Sequence, residues 1–154
     1  MSASLAFIYS TDKLSGKLTK YFTGSYCYHV GWVVENPTTK EPEFFDMNLL
    51  RRVRPWPYYS PEHVKLVGVP VNITWDYLYG KLKSDDNVYG SIDYMLFGLR
   101  KLYHLFGKST PNAKGVICSE MVYNDLVANG WDKTFTEVPS PADLEKEFLN
   151  DAAN

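Results

Sequence analysis

Apolar residues fall along the chain in short runs whose period changes, and each change marks an element. Residues 5–9 form a compact apolar run before the turn-rich Ser10-Thr11-Asp12, which predicts a buried strand. Leu14, Leu18, Tyr21 and Phe22 then recur at helical spacing and predict a short helix over 13–22. Residues 28–35, rich in Val and aromatics and stopped by Asn36-Pro37, predict a strong strand. A second strand over 43–49 follows a short polar stretch that suits a hairpin. Arg54-Pro55-Trp56-Pro57 cannot continue a central strand, because proline donates no ladder hydrogen bond.

The pattern resumes as a strand over 64–69 and a helix over 74–82 with Thr74 as N-cap. The most apolar helical stretch is 94–106, which is expected to pack on the sheet. A short extended run, Gly115-Val116-Ile117-Cys118, feeds a helix over 119–129 that Gly130 closes. Ser140 caps a last helix over about 142–149, with Pro141 at its first position. Strands clustered before helices predict an α+β fold with a central antiparallel sheet packed against helices.

The 154 residues suit a single domain spanning 1–154, and 45% hydrophobic with 22% charged residues predicts a folded chain. A formal charge of −2 argues against a nucleic-acid partner, which demands concentrated Lys and Arg. The basic cluster Arg51-Arg52-Val53-Arg54 is short and reads as a solvated strand or loop edge. No apolar run approaches the roughly 20 residues that span a bilayer. The first residues lack a secretory pattern, which makes a cytoplasmic location the default expectation and suits a bacterial or phage-encoded, virion-associated source.

Chemistry concentrates on the thiols and imidazoles. No Cys-x-x-Cys or converging His pair offers a structural zinc site. Cys118 enters the first turn of a helix, where unpaired N–H groups and the helix dipole favour a thiolate and an oxyanion. A nucleophilic thiol also needs a base, and the base an orienting partner. His104 lies in an apolar helical stretch and His63 in a turn, whereas His29 opens a strong strand just before Gly31. Gly31 leaves room for a backbone or substrate to approach closely. The adjacent strand returns Glu43, Asp46 and Asn48, and Asp46, set between Phe45 and Met47, is the preferred orienter. Cys27 is two residues before His29, so both are expected on one side of the strand, with Cys27 a packed bystander.

These residues resemble the permuted papain-like cysteine hydrolases related to the NlpC-type peptidases. The similarity is ordered along the chain: an early strand, Tyr28-His29-Val30-Gly31-Trp32-Val33-Val34, a strand carrying an acid, then Cys118-Ser119-Glu120-Met121-Val122 opening a helix. Ser140-Pro141-Ala142-Asp143-Leu144 also resembles the family's closing segment. The histidine preceding the cysteine is what a circular permutation implies. The resemblance implies Cys118 as nucleophile, His29 as base and later acid, and Asp46 as orienter, with no cofactor or metal. The third residue is often Glu in that family, which keeps Asn48 as the alternative, and Glu120 matches the motif without an assigned role.

The implied substrate is a peptide, amide or acyl compound, with cell-wall peptides among those the superfamily cleaves. Two other classes stay open: a lipid acyl-thioesterase or acyltransferase, and a catalytically inactive binding or structural module. Trp56, Tyr58 and Tyr59, on a Pro-rich loop, are expected either to wall the cleft or simply to anchor their own loop.

Overall fold

Alternation of buried and exposed side chains builds the sheet. The computed structural model describes residues 2–10, 25–48, 50–84 and 118–150. Its strands are β1 (Ser4–Tyr9), β2 (Cys27–Glu35), β3 (Pro42–Asn48), β4 (Leu50–Pro55) and β5 (Val64–Gly68). They form one antiparallel sheet in the order β4-β3-β2-β1-β5. The described helices are α1 (Trp75–Ser84), α2 (Cys118–Ala128) and α3 (Pro141–Glu145), the last running into a π-helical turn over Lys146–Asn150. The architecture is therefore α+β, as expected. The helices expected over 13–22 and 94–106, and His104, lie outside the described residues.

One sheet face, with Leu5, Phe7, Val30, Trp32, Phe45 and Met47, packs against Leu78 of α1, Met121, Val122 and Leu126 of α2 and Leu144 of α3. Each such fully buried large side chain contributes about 1.5–3 kcal/mol relative to exposure. On the opposite face Ala6, Ile8 and Phe44 form a smaller cluster beneath Trp56, Tyr59 and Val64. None of the described helices is long and apolar enough to cross a membrane.

Local chemistry sets the ends of the elements. The β2–β3 loop is held by Asn36, whose side-chain oxygen accepts from the N–H groups of Thr38 and Thr39 at 2.9 and 3.2 Å. Thr74 caps α1, its hydroxyl accepting from Tyr77 N–H at 3.3 Å. Helix α2 closes with Gly130 at φ 97°, Gly130 N–H bonding Val127 O at 3.0 Å and Trp131 N–H bonding Leu126 O at 3.0 Å. Ser140 and Asp143 make a reciprocal capping box at the start of α3.

Two expectations change. The Arg51-Arg52-Val53-Arg54 run is an edge strand, β4, paired to β3 with Asp46 opposite Arg52 and Phe44 opposite Arg54. It is not simply solvated, since the Arg51 and Arg54 side chains are only 8% and 15% exposed. Its edge position explains how Pro55 can end it without costing the sheet a bond. Secondly, β2 carries a bulge: Ile8 pairs with His29 and Tyr9 with Cys27, leaving Tyr28 as an extra residue. The extra residue breaks the two-residue alternation, so Cys27 joins the helix-side core while His29 meets Phe44 and Tyr59 of the second cluster.

Gly31 has a packing reason. A Cβ there would lie 2.6 Å from Phe45 O and 2.7 Å from the Phe44 ring, so the space is filled by β3 rather than kept for substrate. Gly31→Ala is expected to destabilise the protein by about 1–3 kcal/mol through overpacking against backbone. Urea unfolding checks this, with Gly68→Ala, whose Cβ meets nothing within 4 Å, as a control expected to change little.

Candidate active site

Three elements bring the expected residues together. Cys118 is the first residue of α2 and is buried, His29 lies at the β2 bulge, and Asp46 lies on β3 at 1% exposure. The bulge sets the imidazole between the helix-side core, which holds Cys118, and the opposite face, where Asp46 accompanies Phe44. His29 Nε2 is 2.7 Å from Asp46 Oδ2, and the Cys118 side chain lies close enough to the same ring to raise its proton affinity. With Nε2 engaged by Asp46, Nδ1 is the ring nitrogen left for the sulfur.

Asp46 is held by more than the histidine. Arg52 donates from Nε to Oδ1 at 2.7 Å and from Nη2 to Oδ2 at 3.0 Å, and Arg54 donates from Nη2 to Oδ2 at 2.6 Å. Burial alone would push the Asp46 carboxyl up. Hydrogen bonds and charge from His29 and Arg52 outweigh it and hold the group well below the usual carboxylate range. An ionised carboxylate only accepts, so His29 Nε2 carries a proton toward Asp46, and a neutral ring presents the Nδ1 lone pair to Cys118.

His29 is itself under opposed influences. Burial lowers its proton affinity, but the facing Cys118 sulfur and the Asp46 carboxylate prevail, raising its pKa from 6.5 to about 9. The arrangement can thus take a proton from a thiol and keep it as imidazolium, stabilised on the far side by a fixed carboxylate.

Cys27 is a free, buried thiol, and burial, followed by the charges of Glu145 and Cys118, pushes its pKa well up. Glu145 accepts from Tyr9 Oη at 2.6 Å and from Ser25 Oγ, and the same Ser25 oxygen accepts from Cys27 N–H at 3.0 Å. That network ties α3 to the start of β2. Asn48 ends β3, and its side chain is outside the described set. Glu120 lies in the first turn of α2, where a carboxylate suits the helix dipole. His63 sits 3.5 Å from Glu62, half-buried at the end of the short Pro61–His63 turn before β5.

The aromatic loop is anchored by its own aromatics. Trp56 and Tyr59 pack on Phe44 with ring centroids 5.6 and 5.7 Å away, while Tyr59 also stands 6.5 Å from the His29 ring. Sequence inspection missed Arg52 and Arg54 as members of the site. The signal was their two-residue spacing, which on a strand puts both on one face, with Arg51 and Val53 on the other. Among the described residues, no group of three or more His, Cys, Asp or Glu is placed to hold a metal ion. No protein-family model matches the chain, and no curated protein matches it in sequence, so the residues themselves carry its functional assignment.

Proposed function

We propose that the protein is a cysteine hydrolase of permuted papain-like, NlpC-like type that cleaves an amide or peptide bond through a thioester on Cys118. The observation that supports this most is the continuous chain from a fixed carboxylate, through an imidazole, to a thiol at a helix start. Cys118 passes its proton to His29 Nδ1 and its sulfur attacks the carbonyl carbon. N–H groups in the first turn of α2 face the developing oxyanion. His29 then protonates the leaving amine, and the acyl group remains as a thioester. Water, deprotonated by His29, releases the acid and restores the thiol. Asp46 keeps the ring in one tautomer and stabilises its charged form.

Iodoacetamide labelling at neutral pH, with the adducts located by mass spectrometry, tests this assignment. Cys118 is expected to alkylate selectively over Cys27, whose thiol stays protonated, and Cys118→Ala to abolish the fast adduct. Equal or faster labelling of Cys27 would remove the basis for a catalytic thiol and favour a binding module.

A further inference from the structure

Charge around Asp46 does not balance. Two guanidinium groups and the His29 ring converge on one carboxylate, and Asp46 is the acid that Arg52 and Arg54 contact among the described residues. The Cys118 sulfur that helps to raise the His29 pKa to about 9 balances the imidazolium, which leaves two guanidinium groups on the single Asp46 carboxylate. The Tyr59 phenol does not compensate, since burial, and then the charges of Tyr28 and Asp46, push its hydroxyl up to about 12.

Unused donors accompany the unused charge. Arg52 engages Asp46 through Nε and Nη2, which leaves the Nη1 edge of a side chain that is 34% exposed. Arg54, behind it, has a buried Nε with no hydrogen-bond partner, and its guanidinium lies 3.7 Å over the ring of Tyr58, itself 54% exposed. A partly desolvated guanidinium gains most from an oxyanion that can meet its planar fork with two oxygens. The tyrosine faces beside it supply a wall for an apolar stem.

We propose that the exposed edge of Arg52, backed by Arg54 and walled by Tyr58 and Tyr59, is a carboxylate-binding subsite of the Cys118 site. The acyl substrate then carries a carboxylate that docks on the side of His29 away from the sulfur. This rests on the hydrolase assignment and adds the substrate's charge to it.

The test compares two alkylating probes with the same reacting group, N-iodoacetyl-glutamate and the neutral N-iodoacetyl-glutamine amide, on Cys118. The carboxylate probe is expected to react faster by about tenfold or more, as one charge-assisted contact provides. Arg52→Gln should remove most of that preference and Arg52→Lys should restore part of it, the preference being the ratio of the two probe rates on the same variant, which cancels any change in thiol reactivity that follows from the hold of Arg52 on Asp46. An unchanged preference in Arg52→Gln overturns the subsite, because His29 alone would then account for it. Should that variant fail to fold, glutarate protection of wild-type Cys118 against iodoacetamide decides. Protection supports the subsite, whereas none, or protection by inorganic phosphate alone, overturns it. A Cys118 that is no more reactive than Cys27 toward iodoacetamide defeats the hydrolase assignment itself, a result distinct from loss of probe preference.

Discussion

Replacing His29 with Ala is expected to slow iodoacetamide alkylation of Cys118 at neutral pH by on the order of tenfold or more, since an unassisted thiol is only a few per cent ionised there. Turnover of an acyl substrate should fall further, by on the order of 10² to 10⁴, because the same ring must also protonate the leaving group and activate water. The sheet should survive the change. Asp46 keeps three hydrogen bonds from Arg52 and Arg54, so its buried charge is not orphaned. Stability then offers a second check through pH. The pKa of His29 is raised from 6.5 to about 9, so the stabilisation due to its charged form is fully present below 6.5 and lost as pH rises through 9. The stability gap between wild type and His29→Ala is therefore expected to narrow across that window, read as urea midpoints at successive pH values. A gap that stays constant from mildly acidic to alkaline pH would show that the native fold does not hold the imidazolium.

What was legible in the sequence was mostly local. Thr74, Ser140 and Gly130 announce helix ends because each satisfies a backbone group within a few residues of itself. Cys118 at a helix start was legible for the same reason. His29 and Asp46 could be paired from the hairpin, since antiparallel neighbours share a face once their register is set, and here Gly31 lies opposite Asp46. The bulge at Tyr28 was not legible, because it depends on how β1 meets β2 and leaves no mark in the pattern of either strand. The arginines of β4 were misjudged for a related reason. A charged run reads as solvated unless its partners are known, and those of Arg51, Arg52 and Arg54 sit on other elements. Asp125 escaped notice altogether, because a carboxylate on a helix looks solvent-facing until the helix is docked.

Asp125→Ala is expected to cost about 3–5 kcal/mol of stability, because it breaks a buried ion pair with Arg51 and takes the acceptor from Trp32 and Tyr77 at the same time. Asp125 is 1% exposed and accepts from Trp32 Nε1 at 3.0 Å, Arg51 Nη1 and Nη2 at 3.1 and 2.9 Å, and Tyr77 Oη at 3.1 Å. One carboxylate therefore ties α2 to β2, β4 and α1. Burial, with the charge of Asp125 behind it, pushes the Tyr77 hydroxyl up to about 12, so the phenol remains a donor throughout the working range. Asp125 follows Cys118 by two helical turns and so shares its face; the contact that anchors α2 also fixes where the thiol stands. Arg51→Met should be costly for the converse reason, since it leaves a buried carboxylate short of its cation. The pair Asp125→Leu with Arg51→Met should recover much of either loss, because replacing both charges removes the desolvation penalty along with the attraction. Urea unfolding of Asp125→Leu, Arg51→Met and the double variant closes a cycle whose coupling term isolates the ion pair from the Trp32 and Tyr77 bonds. A single-variant cost below about 1 kcal/mol, the scale of an exposed pair, would mean that water reaches the node and that α2 is held by its apolar face alone.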